Sequence, residues 1–305
     1  MVQKNSIKQK IIIVIGPTAS GKTSLGVSLA KTLGGEIISA DSMQVYKGMD
    51  IGTAKVTKEE MMGVPHHLLD VALPTENYSV SLWKEAAEKA IDQITSRGKV
   101  PIIVGGTGLY ITSLIKGYTF FEAKEDPEYR AKLELLLKEK GPEHLHELLK
   151  EKNSALAESV HPNKTKAIIR YLEVLKSNPS YDFGTQEEKY DYLLLGLDID
   201  RELLYNRINQ RVDIMIESGL EEELKNLLKQ GTSKTSLGAI GYKEMLDYLE
   251  GKGTFSEGVE LIKKRSRNYA KRQLTYIRGM DNVTFIPYND IDLAIKLSKE
   301  FLNKE

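Results

Sequence analysis

The sequence predicts an α/β fold: a parallel sheet flanked by helices and interrupted by an all-helical insertion. Three observations carry this. Short β-branched runs lacking polar alternation stand at 11–15 and 100–104, which suits strands buried on both faces. Segments of helical period separate them. Between about 122 and 180 the strand pattern is absent altogether.

The first run, IIIVI at 11–15, enters a turn-rich stretch, after which TSLGVSLAKTLGG reads as a helix stopped by Gly34–Gly35. EIISA at 36–40 is a second short strand. Residues 79–97 have helical period, with Ser79 or Ser81 as N-cap and Gly98 as the stop. VPIIVGG at 100–106 is a third buried strand. The insertion that follows holds only helical segments, broken at Gly141–Pro142 and His161–Pro162, with polar ends FEAKED and SNPSYDFGTQEEK. YLLLGLDI at 192–199 resumes the strand pattern. Helices are expected at about 201–218, 220–230, 240–250 and 256–278, and a last strand at 283–288. The predicted division is therefore a core of residues 1–121 and 186–305 around a helical subdomain at 122–185.

Hydrophobic residues make up 41% and charged residues 28% of the 305 positions, ordinary for a soluble globular chain. Lys plus Arg and Asp plus Glu both number 43, so net charge points to no polyanionic partner and only local clustering could. With no Cys, disulfides, thiolate chemistry and Cys-based zinc sites are excluded. The apolar run at 11–15 is too short for a signal peptide, and no stretch approaches the roughly 18 apolar residues of a membrane span. A cytoplasmic monomer without membrane attachment is expected.

Residues Gly16, Pro17, Thr18, Ala19, Ser20, Gly21, Lys22 and Thr23 fit G-x-x-x-x-G-K-[ST], between a strand and a helix as that motif requires. Its glycines let the backbone curl so that several N–H groups face an anion, and the helix adds its positive end. Lys22 supplies a mobile charge, and the Thr23 hydroxyl can ligate Mg²⁺. The sheet is thus expected to be P-loop NTPase-like. A nucleoside triphosphatase usually carries an Mg²⁺-binding Asp at the end of a second apolar strand. Here that strand runs into Gly105-Gly106-Thr107-Gly108, and the carboxylate, Asp41, follows the other strand. This layout suits transfer to a nucleophile, although Asp41 also reads as a local cap. Adjacent His66 and His67 would point to opposite faces of an extended segment, which argues against a shared zinc ion.

Taken together, GPTASGKTSL at 16–25, ISADSMQVYKGMDIGTAK at 38–55, GVPHHLLD at 63–70, VGGTGLYI at 104–111, RINQRVDIMIESGLEEE at 207–223, AIGYKE at 239–244 and RNYAKRQLTYIR at 267–278 resemble the tRNA dimethylallyltransferase (tRNA isopentenyltransferase) family. The matches run in order along nearly the whole chain. The resemblance implies that the loop binds dimethylallyl diphosphate rather than ATP, and that N6 of adenine 37 in the tRNA anticodon loop attacks C1 of the allyl group. It places a general base at Asp41 and Thr107 near the reacting centre, where Thr107 could equally cap a helix. Arg207 and Arg211, four apart on one helix face, would meet the diphosphate, with Arg211 as the clamp; ion pairing with neighbouring Glu residues is the plain alternative. Mg²⁺ on Thr23 is the implied cofactor. Ser42, Met43 and Gln44, with Asp41, match the segment facing the target base.

Residues 263–278 carry seven basic residues and no acid. On a helix, Lys263, Arg267, Lys271 and Arg278 form a stripe opposite Ile262, Tyr269, Ala270 and Ile277, as expected of a docked helix gripping RNA phosphates. Gln273 is expected to join these tRNA contacts. In the insertion, Lys166 and Arg170 lie in HPNKTKAIIRYLEV, which resembles the family's anticodon-stem segment but has Ala167 and Tyr171 where basic and small residues are usual. Rival functions are an adenylate isopentenyltransferase acting on free nucleotide, a P-loop small-molecule kinase and a non-catalytic RNA-binding protein. A free nucleotide needs neither the insertion nor the basic stripe. A kinase would transfer γ-phosphate label. A pure binder would tolerate loss of Lys22.

Overall fold

Five consecutive apolar residues on one strand must be covered on both sides, and β1 (Gln9–Ile15) is covered in that way. Ile11, Ile13 and Ile15 face one apolar layer, while Ile12 and Val14 face the other. The computed structural model describes residues 8–120, 126–183 and 188–304. After β1, α1 (Lys22–Leu33) ends at Gly34, whose φ of 65° is the left-handed cap the sequence anticipates. β2 (Gly35–Ala40) leads through α2 (Lys58–Met61) to a two-residue strand, β3 (His66–His67). Ser79 caps α3 (Val80–Ser96), its side chain accepting the Leu82 N–H. β4 (Val100–Gly105) runs into α4 (Gly108–Ile115).

The segment Gly117–Glu187 is a compact unit of its own. Among its described residues are α5 (Pro127–Lys152), broken at Gly141 where φ is 82°, α6 (Ser154–Glu158) and α7 (Thr165–Ser177). A break the sequence reading does not anticipate falls at Asn153, whose side chain turns back to cap α6. Leu133, Leu145, Leu149, Ile168 and Leu172 form its private core. The expected boundaries near 121 and 185, most of the polar entry segment and residues 184–187 of the exit segment lie outside the described residues.

The other unit, Met1–Lys116 with Glu188–Glu305, continues with β5 (Tyr190–Asp198), α8 (Arg201–Glu217), α9 (Leu220–Gln230), α10 (Lys234–Leu237), α11 (Tyr242–Leu249), α12 (Phe255–Arg278), β6 (Val283–Pro287) and α13 (Ile291–Asn303). Among the described residues its sheet has six parallel strands in the order β3-β2-β4-β1-β5-β6. From β1 the chain crosses toward β2, whereas from β4 it crosses the other way toward β5. The neighbours β4 and β1 thus open a crevice at their C-terminal ends, the place where open α/β sheets bind ligands. Ligand-site loops follow from this topology: 16–21 after β1, 41–57 after β2 and 106–107 after β4. No helix among the described residues is long and apolar enough to cross a membrane.

The two histidines are engaged structurally. His66 Nδ1 meets the Val64 carbonyl at 2.9 Å, and His67 Nε2 meets Glu36 at 2.7 Å. Glu36 is buried and also accepts from Arg97 at 2.7 and 3.3 Å. Burial alone would raise its pKa, but the hydrogen bonds from Arg97 and His67 outweigh that and hold it below the ordinary carboxylate value. The sign follows from linkage: stability from Glu36 is complete above its unfolded pKa of about 4.5 and is lost as pH falls through the lower folded value. Urea unfolding of Glu36→Gln should therefore show reduced stability at pH 7 and convergence with the unmutated protein in acid. An unchanged gap between the two at every pH would refute this.

Candidate active site

The loop after β1 has the geometry of an anion cradle. Ala19 and Gly21 have φ of 63° and 93°, so the backbone curls before entering α1. A side chain at Gly16 would meet Ser20 Oγ at 2.8 Å, which is why the turn closes on a glycine. Thr18 to Thr23 line a cavity of about 710 Å³, while Gly16 and Pro17 are buried behind them and do not line it. Lys22 Nζ donates to the loop's own Pro17 carbonyl at 2.6 Å.

Three cations are collected around this cradle. Arg207 and Arg211 both line the cavity from α8, as their spacing predicts. Arg211 Nη1 lies 3.4 Å from Thr18 Oγ1, and Arg207 stacks over the Tyr288 ring at 4.5 Å. Neither makes an ion pair with a Glu among the described residues. Burial, then repulsion from Arg211, lowers the Lys22 pKa to about 7, with Asp41 opposing. Burial lowers that of Arg211 too, against attraction from Glu60 and Asp41. A half-buried positive cluster of this kind is electrostatically incomplete without an anion.

Asp41 lies at the end of β2 on the rim of the same cavity. Its Oδ1 accepts from the Met43 and Gln44 amides at 2.9 and 3.3 Å, so it is a local cap as well as a cavity carboxylate. Thr107 is anchored opposite: its N–H donates to the Ala40 carbonyl and its Oγ1 accepts from the Ser42 amide at 3.2 Å. It heads α4 without making a side-chain cap there. A second lobe of about 300 Å³ shares Thr18, Asp41, Arg211 and Tyr269 with the first and is walled by Met43, Ile208, Val212, Met215 and Ile262. Charge at one end and an apolar wall at the other suit a small amphiphile carrying an anionic group.

Tyr269 and Arg272 belong to the site although the sequence alone assigns them no place in it. Tyr269 lines both lobes, and Arg272 the smaller. Burial first, then Asp41, raises the Tyr269 hydroxyl to about 12, so it is a hydrogen-bond donor at neutral pH. The only advance signal is their spacing on α12, at positions 269, 272 and 273.

The structure corrects part of the basic stripe. Gln273 is buried, not surface-facing: its Oε1 accepts the Thr18 N–H at 2.8 Å and its Nε2 donates to the Gly106 carbonyl at 2.9 Å. Lys263 is paired with Asp213 at 2.8 Å and Glu260 at 3.2 Å, and Arg267 donates to Asn209. Arg265 pairs with the buried Glu244. Lys264, Lys271, Arg272 and Arg278 are exposed and make no ion pair among the described residues. In the helical unit, Lys166 is exposed on α7, and Arg170 on the same face lies 3.5 Å from Glu173.

The model of the family described as IPP transferase matches residues 44–280. The tRNA dimethylallyltransferase of Carboxydothermus hydrogenoformans is 50% identical over 279 residues, covering 89% of this chain and 90% of that protein. That of Bacillus subtilis is 45% identical over 304 residues, 97% of each. The crystal structure of the tRNA isopentenylpyrophosphate transferase from Bacillus halodurans superposes with a TM-score of 0.73 at 44% identity, covering 97% of this chain and 96% of that one. A eukaryotic dimethylallyltransferase acting on tRNA gives 0.77 at 28% identity, covering 96% and 79%.

The Lys22 environment has a measurable consequence. With its free pKa near 7, the anion cradle loses a charge as pH rises through neutrality, and a bound anion must restore that proton. Affinity for inorganic diphosphate should fall across pH 7–9 and binding should take up a proton. Lys22→Arg, whose charge does not titrate here, should lack the uptake. Calorimetry in buffers of different ionisation enthalpy reads this directly, and equal uptake by both proteins would refute it.

Proposed function

The chain belongs to the IPP transferase family, and on that premise we propose that it transfers the dimethylallyl group of dimethylallyl diphosphate to N6 of adenine 37 in the anticodon loop of tRNA, releasing diphosphate. The observation that carries this reading is the meeting of Asp41 with Lys22, Arg211 and an apolar lobe in one crevice. The diphosphate would lie in the 18–23 cradle and the five-carbon group against Met43, Val212, Met215 and Ile262. As N6 attacks C1, the C–O bond breaks and its electrons pass to the bridging oxygen. Lys22, Arg207 and Arg211 face the charge that develops there. Asp41 accepts the proton that the alkylated amine must lose. Thr107 and Tyr269 border the same space and would hold the acceptor in line.

The Thr23 side chain fits an Mg²⁺ that accompanies the diphosphate. It is an oxygen donor at the cavity edge with no hydrogen-bond partner among the described residues, as a hard cation prefers. Among those residues no cluster of three His, Asp or Glu could hold an ion alone, so Thr23 would contribute one ligand to a metal brought in by phosphate oxygens. Bound there, Mg²⁺ would neutralise the leaving group. On the RNA side, Ser42, Met43 and Gln44 lie beside Asp41, and the exposed cations of α12 and Lys166 and Arg170 of α7 are offered to phosphates. A monomer working in the cytoplasm, where tRNA is processed, completes the proposal.

The direct test is incubation with labelled dimethylallyl diphosphate, Mg²⁺ and unmodified tRNA, followed by digestion. Label on N6 of adenine is expected; label only on free adenylates would overturn the RNA assignment. Asp41→Asn should reduce turnover by roughly 10²-fold while diphosphate-ester binding is kept, since a base and not an anion ligand is removed. Near-normal turnover would rule Asp41 out as the base.

The stripe makes a separate demand. Replacing Lys264, Lys271 and Arg278 together by Gln should weaken tRNA binding at all sequences alike and flatten its salt dependence, by about 0.9 in slope per lost duplex phosphate contact. Lys263→Gln, taken from an internal ion pair, should leave the slope alone. Equal slopes for the triple variant and the unmutated protein would place the RNA grip elsewhere.

A further inference from the structure

Glu223, on α9 and outside the cavity that holds Asp41, carries a conspicuous arrangement. Its carboxylate accepts four hydrogen bonds and, among the described residues, pairs with no cation. Oε2 takes the Asp50 and Ile51 amides at 2.9 and 2.8 Å. Oε1 takes the Gly52 amide at 3.0 Å and the buried Tyr242 hydroxyl at 2.6 Å. Three successive backbone N–H groups therefore wrap one carboxylate, as a small nest wraps an anion. Gly52 lies flat on the Tyr242 ring, where an added Cβ would come within 2.5 Å.

The segment so gripped is held a second time. Lys55, its side chain 6% exposed, donates to the Tyr46 carbonyl and to Asp50 and Asp70 at 2.6–2.7 Å. Between the two fixings, the Thr53 and Ala54 carbonyls receive Nε2 of Gln44 at 3.3 and 3.2 Å. Two carbonyls facing one amide end fix which end is nitrogen. Gln44 lines the Asp41 cavity, and with both its amide hydrogens engaged, Oε1 is the atom it has left for a ligand.

We infer that Glu223 is a specificity-positioning residue: by fixing residues 50–54, it holds Gln44 as a hydrogen-bond acceptor toward the base that is to be alkylated. This rests on the proposed transfer to adenine. An acceptor at that place matches an exocyclic amine, which has two hydrogens, one for Asp41 and one for Gln44 Oε1. It repels a 6-keto purine, which offers a lone pair instead. Neither Glu223 nor Tyr242 touches substrate in this scheme; both act through the loop.

The test is a double-mutant cycle on the full enzyme, using an anticodon stem–loop with adenine, or inosine as competitor, at the target position. Glu223→Gln puts an N–H₂ against amide donors and should lower kcat/KM for the stem–loop about ten-fold, the scale of a lost charge-assisted contact, with KM for dimethylallyl diphosphate unchanged. In a Gln44→Ala background the same substitution should add nothing. Discrimination of adenine from inosine should shrink equally in Glu223→Gln and Gln44→Ala. Tyr242→Phe removes one donor, keeps the other three bonds, and should shift the ratio in the same direction; it serves if Glu223→Gln does not fold. A full additional loss in the Gln44→Ala background, or undiminished discrimination, would overturn the inference. Failure of the unmutated enzyme to alkylate tRNA at all would instead overturn the function on which it rests.

Discussion

The side-chain amide of Gln273 ties the site together. It joins α12 to the two loops that flank the β4–β1 crevice, accepting from the Thr18 amide and donating to the Gly106 carbonyl. Losing it would leave a buried N–H and C=O unsatisfied at the mouth of the cradle, each costing about 1–3 kcal/mol. One turn further along, the Tyr276 hydroxyl donates to Thr112 of α4, and its ring covers Gly108 so closely that no side chain fits there. The same helix presents Lys264, Lys271 and Arg278 outward. An element that could have been a detachable RNA-binding arm is therefore part of the frame that fixes the anion loop.

The balance of charge within that frame explains why the loop can wait for its ligand. Lys22, Arg207 and Arg211 converge on one cavity, Asp41 attracts both Lys22 and Arg211, and burial works against these two in their charged forms. Such a cluster weakens the empty protein and is relieved by a dianion or trianion. Catalytic preorganisation takes this form: the dipoles and charges that will meet the leaving group are already in place, and their cost is met in folding. The apolar layers under the sheet supply the margin, each fully buried isoleucine of β1 contributing roughly 1.5–3 kcal/mol over exposure.

Much of this was legible in residues that act locally. Strands buried on both faces, glycine caps such as Gly34, and a loop whose geometry is contained in eight residues all leave marks in one dimension. What was hidden depended on partners distant in sequence. Strand β3 is two residues long, and only its pairing with Ile37 and Ile38 makes it a strand. Lys263 counts as a free cation until α8 brings Asp213 to it. Gln273 sits one residue from Arg272, and its burial against the loops is set by the docking of α12 on them. Helix α13, with Leu293, Ala294 and Leu297 against the layer beneath β1, has no counterpart among the elements expected from sequence, although its apolar spacing is present.

The choice of chemistry is also written in what cannot be placed at the end of β4. Where a hydrolase would carry an Mg²⁺-binding carboxylate, this chain has Gly105 and Gly106. A Cβ at Gly105 would lie 2.1 Å from the Ala40 carbonyl, and one at Gly106 would lie 2.2 Å from Gln273 Nε2. The space an Asp would need is filled by the backbone of β2 and by the amide that ties α12 down. The carboxylate excluded there is presented instead from the end of β2 as Asp41, beside the apolar lobe, where the proposed function has it serve the acceptor and not the metal. On the proposed function, a phosphate loop framed in this way holds a diphosphate still while the bond at its far end is attacked, and the packing of Gly105 and Gly106, rather than the loop itself, makes that distinction.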